Sequence, residues 1–424
     1  MFTTLRNAWK IPELRKKLLF TLMILAIFRV GNAVPLPYVN VEALSNYFRY
    51  NLSNTVLGLY NAMSGSAFSQ ATIFALGIQP YINASIIIEL LTIAIPSLER
   101  LAKEEGEEGK QKINRITRYT TVGLGLLLGY AYYVMLSNYS LLSVTGFFPA
   151  VVVILSFTAG ASLVMWLGEQ ITEFGIGNGI SIILFAGIVS RVPSLIGTMV
   201  SSLKNGSIQW WTCILLVIGA LLLVAFIVFI TNAERRIPIQ YAKRVVGRKV
   251  YGGQNTHLPI KVNMSGVLPI IFAQSIASLP ATICAFAGST TGWWYKHVFS
   301  NTSTVYGVCY FILIILFSYF YASVQYNPIE IANNLKKNGG FIPGFRPGRP
   351  TAEFIARTIN KIVLFGALFL SVVALLPIII GNVVGVSGLA IGGTSVIIVV
   401  GVAIETVSAI EAQMLMRHYK GFLE

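Results

Sequence analysis

Residues 73–95 read IFALGIQPYINASIIIELLTIAI. The run is long and apolar enough to cross a bilayer. It nevertheless carries Gly77, Gln79, Pro80, Asn83 and Glu89. Helix breakers and polar groups at membrane depth are tolerated where they face protein or line a wet cavity. The segment just before it, residues 57–70, is apolar but too short to span, and it is rich in glycine and serine. A half-length segment leading into a full span is the pattern of a re-entrant element beside a pore.

Outward from this stretch the chain keeps the same character. Hydrophobic residues make up 55% and charged residues 11% of 424; an ordinary globular chain has about 25% charged residues. Ten runs approach bilayer length, at about residues 17–36, 73–95, 119–138, 147–167, 179–199, 209–230, 265–286, 304–323, 361–381 and 389–412. The expected fold is an all-α polytopic membrane protein. Net charge is +15, and most of the 31 Lys and Arg fall in the N-terminus, alternate loops and the C-terminus. That asymmetry puts both termini on the cytoplasmic side. The first run follows a basic start (Arg6, Lys10, Arg15, Lys16), and no small-residue cleavage site follows it. It reads as a retained helix rather than a removed signal. Arg29, near its far end, reads as a snorkelling side chain. Residues 97–118, SLERLAKEEGEEGKQKINRITR, interleave both signs and read as a solvated cytoplasmic loop. Arg191 and Pro193 interrupt the fifth run and should bend its outer end. Polar residues 200–208 form a midpoint between five spans and five, dividing the chain into halves 1–205 and 206–424.

Bond chemistry has little to stand on. All 16 acidic residues are glutamate, so aspartate metal cages, aspartyl phosphorylation and an Asp-completed triad are absent. His257, His297 and His418 lie far apart, with no HExxH. Cys213, Cys284 and Cys309 sit singly in spans with no CxxC, and read as buried free thiols. No phosphate-binding glycine loop occurs.

Two cytoplasmic loops are long and basic. Residues 231–263 hold Arg235, Arg236, Lys243, Arg244, Arg248, Lys249 and Lys261; IPIQY reads as extended and KVYGGQN as a turn, a protruding hairpin. Residues 324–360 end in GFIPGFRPGRP. On composition alone such loops are orientation charge, a surface for anionic lipid, or docking posts.

Six ordered blocks resemble the SecY protein-conducting channel family. They are Arg29-Val30-Gly31 followed by Pro35 and Pro37, ALGIQPYINASIIIELL (75–91), GEQITEFGIGNGISII (168–183), THLPIKVNMSGVLPIIFA (256–273), YNPIEIANNLKKNGGFIPGFRPG (326–348) and GGTSVIIVV (392–400). The resemblance covers nearly the whole chain. It implies ten transmembrane helices in two pseudo-symmetric inverted halves around a central pore, although the halves share no visible sequence identity. It implies passage of unfolded polypeptide outward and sideways release of apolar helices between spans two/three and seven/eight. It implies a bacterial plasma membrane location and no cofactor. The implied partners are SecE and SecG subunits, the SecA motor or the ribosome, signal sequences and nascent polypeptides; anionic lipids follow from the basic loops.

The resemblance also distributes roles. A hydrophobic pore ring falls on Ile78, Ile82, Ile180, Leu184, Ile271 and Ile398. The first two pairs are spaced i, i+4 and share a face. Apolar constrictions gate by dewetting; by residues alone these positions are equally plain helix packing. A plug falls on residues 57–70, including Leu57, Tyr60, Met63, Ser64, Gly65, Ser66 and Phe68; by residues alone the segment is equally an interfacial loop. Docking falls on Arg236, Lys243, Arg244, Arg248 and Arg346, and the lateral gate on Asn83, Glu89, Gln274 and Ser275. Glu89 departs from the family's glutamine. It shares a face with Ile82 about 10 Å away, so hydration or a polar partner such as Gln274 or Ser275 is expected; the alternative is a tolerated exchange of glutamine for glutamate with no partner. The alternative function is a secondary transporter of a small solute, which also uses broken helices. Its acidic candidates in spans are Glu89 and Glu405.

Overall fold

A computed structural model describes residues 2–48, 56–103, 106–204, 209–241, 244–246, 249–251, 255–264, 266–286, 292–293, 297–298, 303–384 and 392–420. Among them, seven helices are long and apolar enough to cross a membrane. The chain divides into two compact units. One comprises Met1–Leu216, Ser278–Tyr306 and Pro377–Glu424; the other comprises Val217–Ala277 and Gly307–Leu376.

The first unit begins with amphipathic α1 (Phe2–Lys10) and α2 (Pro12–Gly31). A proline at the start of α2 suits a position whose amide has no helical partner. Span one therefore starts and ends several residues earlier than expected. The chain then passes through α3 (Val41–Tyr47) and α4 (Val56–Met63), and a single 3-10 turn at Phe68–Gln70. Only at Gln79 does the second span become helical, as α5 (Gln79–Ala94). Residues 73–78 are not helical, a correction to the expected 73–95 span. Gly77 takes φ +54, and Pro80 sits in the first helical turn, so the helix cannot begin sooner.

A second correction concerns residues 97–118. They are not a loop. α6 (Pro96–Lys103) turns away from α5 by 106°, and α7 (Gly106–Asn138) begins well before its apolar part. Lys110 pairs with Glu107 one turn back, support that dense mixed charge supplies to a helix. α8 (Phe147–Phe174) follows, then α9 (Gly179–Val189) and α10 (Val192–Lys204), interrupted beside Arg191 and Pro193 where a bend is expected, although Gly179–Ser201 runs on as a single span. α11 (Trp210–Thr231) leads into the second unit.

In the second unit, β1 (Glu234–Tyr241) pairs antiparallel with β4 (Asn255–Lys261), bearing a tip made of β2 (Arg244–Val246) and β3 (Lys249–Tyr251). Lys249–Tyr251 is thus strand rather than the expected turn. α12 (Leu268–Phe286) contains Pro280; α13 (Thr304–Gln325), α14 (Pro328–Lys337), β5 (Gly340–Phe341), α15 (Arg349–Val384) and α16 (Gly392–Lys420) complete the order. The expected loop 324–360 is mostly structured. β5 adds to β1 through Gln240↔Phe341 and Tyr241↔Gly340. Ile237, Ile239, Ile260, Leu335, Ile342 and Ile355 form one buried core beneath the sheet. The two basic loops are therefore one module. The thiols are another correction: Cys213 and Cys284 are only half-buried, and Cys309 is exposed. In an apolar span such surface is compatible with lipid and needs no protein cover.

Glycines set how closely the first unit's spans approach. A methyl on Gly160 of α8 would overlap the Ile73 carbonyl, and one on Gly31 of α2 would overlap the Phe74 ring. By contrast, a methyl on Gly123 of α7 would meet nothing within 4 Å. Overpacking a filled interior costs about 1–3 kcal/mol. Gly160→Ala should therefore lower the thermal unfolding midpoint in detergent, while Gly123→Ala leaves it unchanged; equal midpoints for the two variants would contradict this packing.

Candidate functional site

Residues 57–70, the segment expected to be re-entrant, form a tight, self-bonded unit. Asn61 organises its turn: its carbonyl accepts from Ser66 N at 2.9 Å, and its Oδ1 accepts from Ser69 N at 2.9 Å. Ser64 Oγ donates to the Asn61 carbonyl at 3.3 Å and accepts from Phe68 N at 3.2 Å. Gly65 and Ser66 take φ +69 and +74. Two left-handed residues in succession reverse the chain, at no steric cost for Gly65 and at some cost for Ser66. Leu57, Met63, Ser64 and Phe68 are all buried.

Behind the turn the segment is anchored. Ile73 N donates to the Val34 carbonyl and Leu36 N to the Ala71 carbonyl, both at 3.0 Å. Tyr132 of α7 is fully buried, and its hydroxyl donates to the Phe68 carbonyl at 2.6 Å. Its ring meets Phe68 and Phe157 edge to face, at 4.5 and 4.7 Å between centroids. In front, the contacts are weaker. Asn32 Nδ2 donates to the Ser64 carbonyl at 3.1 Å, and Gln79 Nε2 reaches the Met63 sulfur, a poor acceptor, at 3.0 Å. Tyr60 packs on Ala281 of α12.

Five of the six ring positions lie in the first unit: Ile78 and Ile82 by α5, Ile180 and Leu184 on α9, and Ile398 on α16. Ile78, Ile82, Leu184 and Ile398 are buried. Ile82 N donates to the Ile78 carbonyl at 3.0 Å, so that pair is one helical turn apart. Ile271 is half-buried on α12 in the second unit. Asn83 and Glu89 are half-buried on α5, whereas Gln274 (buried) and Ser275 (half-buried) lie in the second unit.

The α8–α9 connection explains how Ile180 is placed. Asn178 Oδ1 accepts from Ile180 N at 3.0 Å and Ser181 N at 3.3 Å, capping α9. Thr172 Oγ1 accepts from Gly179 N at 2.9 Å. A cavity of about 270 Å³ opens here, lined by Tyr81, Asn114, Arg118, Glu169, Glu173, Asn178 and Ile180 among others. Arg118 Nε and Glu169 Oε1 pair across it at 2.8 Å. Sequence reasoning missed this pair; opposite charges at the same end of two consecutive spans were the available signal. It also missed Asn32, Asn61, Tyr132 and Gly187, the last a glycine of α9 on which a methyl would overlap the Met63 carbonyl.

On the basic module, strand alternation buries Ile237 and Ile239 and turns Arg236 outward, where it pairs with Glu234 at 2.6 Å. Arg346 is exposed on a turn between Gly344 (φ +87) and Gly348 (φ +109), its carbonyl held by Thr351 Oγ1 at 2.7 Å. Arg244 starts β2; Lys243 and Arg248 lie outside the described residues.

The profile of the SecY family matches residues 72–407. The protein translocase subunit SecY of Streptomyces scabiei is 44% identical over 440 residues, covering 100% of both chains. That of Aquifex aeolicus is 41% identical over 425 residues, covering 99% of both. A solved protein conducting channel superposes with TM-score 0.67 at 18% identity, covering 94% of this chain and 92% of that one. A SecY structure at TM-score 0.68 and 18% identity, with the same coverage, concerns a plug domain that stabilises the closed translocation channel and maintains a membrane seal.

The Phe68 carbonyl keeps a bond from Ala71 N when Tyr132 loses its hydroxyl. Tyr132→Phe should therefore cost only about 1 kcal/mol, whereas Tyr132→Ala should cost about 3–5 kcal/mol, as for other large buried rings. Thermal unfolding in detergent should rank the three proteins in that order; a Tyr132→Ala protein as stable as the parent would refute the anchor.

Proposed function

The chain belongs to the SecY family, and on that premise we propose that it is the pore subunit of the general secretion translocase. It passes unfolded secretory polypeptides across the bacterial plasma membrane. It also releases apolar helices sideways, between spans two and three and spans seven and eight. The observation that carries this reading is the layering along α9: the polar cavity at Asn178 and Ile180, then apolar Leu184, then the re-entrant segment at Gly187. A polar mouth, an apolar constriction and a cover, in that order, suit a path that admits a peptide and retains ions.

Ile78, Ile82, Ile180, Leu184, Ile271 and Ile398 form the ring. Branched apolar side chains hold water out at rest and deform around a passing chain. Residues 57–70 are the plug. The halves 1–205 and 206–424 enclose the pore as inverted repeats, with both termini cytoplasmic. Asn83, Glu89, Gln274 and Ser275 line the lateral gate, where signal sequences enter; Glu89 finds a polar partner there. The protein performs no bond chemistry itself. Energy comes from the SecA motor or the translating ribosome, docked on Arg236, Lys243, Arg244, Arg248 and Arg346. Contacts to ribosomal RNA are phosphate-directed and weaken with salt. SecE and SecG complete the complex, and anionic lipid meets the basic face.

Ring substitution tests the reading. Ile82, Ile180 and Ile271 replaced together by Ser should raise resting conductance in planar bilayers, with the protein still inserted. Unchanged resting conductance in that triple variant would remove the ring assignment. Docking is tested separately by Arg346→Glu. Exposed substitutions usually lie within about 0.5 kcal/mol of neutral, so stability should hold while SecA-driven export into vesicles collapses. Full export by this variant would refute the docking role.

A further inference from the structure

The contacts holding residues 63–74 differ between rear and front. At the rear, Gly160 and Gly31 meet Ile73 and Phe74, beside the backbone bonds to residues 34–36 and the Tyr132 hydroxyl. In front, Gly187 of α9 meets the Met63 carbonyl with no room for a methyl. Gly65 faces it in return. A methyl on Gly65 would stand 2.7 Å from Ser190 Oγ, 3.1 Å from the Gly187 carbonyl and 3.1 Å from an Arg29 guanidinium nitrogen. Among the described residues, the polar bonds in front are one neutral amide to Ser64 and one amide-to-sulfur contact.

We propose that Gly187, with Gly65 facing it, is the seat that sets the resting position of the plug. This rests on the reading of residues 57–70 as a movable plug. One feature supports it further: Gly187 lies three residues beyond Leu184, on the same face of α9 and about one turn along it. The plug therefore rests on the wall that carries the constriction. Close packing, rather than a strong bond, then decides how much of the time the seat is occupied, and packing is sensitive to a single methyl.

The test uses the full chain in its membrane complex, with Cys213, Cys284 and Cys309 replaced by Ser and a reporter thiol at buried Ala62 (A62C). A membrane-impermeant maleimide is added from the outer side. Gly187→Ala should accelerate resting labelling at least about fivefold, the lower end for one inserted methyl, and raise resting conductance. Gly187→Ser, with a larger side chain at the same contact, should do the same. Thermal midpoints should remain near the parent's. Unchanged labelling in both variants overturns the seat. So does loss of the folded protein in either, because a contact that opens in normal operation can open without unfolding the chain. The underlying reading fails in a different way: the parent thiol at residue 62 would stay protected even while a stalled precursor occupies the channel.

Discussion

Backbone amides without a helical or sheet partner cannot face lipid, and residues 64–78 contain several turns of such backbone inside a membrane protein. Their sheltering governs the first unit. The segment bonds to itself through Asn61 and Ser64, and to residues 34–36 through a short backbone ladder. Spans around it must come close enough to exclude lipid, which is why glycine stands at positions 31, 160 and 187. Larger residues would hold those spans away and leave the irregular backbone uncovered.

Strength is unevenly distributed along this segment. Its rear combines a buried tyrosine hydroxyl, edge-to-face aromatic rings and two backbone bonds. Among the described residues, its front has one neutral hydrogen bond, worth about 1 kcal/mol, and a weaker sulfur contact. Elements that move in function come from the less stable parts of a fold. Under the function proposed above, this arrangement serves as a tether with a light front contact, the rear keeping the segment attached and the front letting it leave. The basic module is built differently. Arg236 projects from a strand and Arg346 from a turn of one module whose sheet and core join two distant loops, so the docking partner proposed above would meet one folded platform instead of two independent tails.

Hydropathy made most spans legible, because runs such as residues 210–231 have no other stable home. Gly77 and Pro80 signalled an irregularity at the second span, but its extent was not legible: residues 73–78 read as span and are not helical. The helices at 96–118 were not, since dense mixed charge reads as loop; their form depends on packing between α5, α6 and α7. The β5–β1 pairing joins residues about a hundred positions apart through a strand of two residues, too short to leave a pattern. Gly187 was invisible for another reason. Any glycine in a membrane helix reads as generic close packing, and only the placement of the Met63 carbonyl distinguishes this one.

The central claim is that polypeptide travels past the apolar wall that the plug covers. A photoreactive amino acid placed at Leu184, and separately at Leu127 on the exposed side of α7, tests it in vesicles holding a precursor stalled by a folded C-terminal domain. The account predicts crosslinks to the precursor from position 184 and none from position 127. Crosslinks from 127 with none from 184 would contradict it.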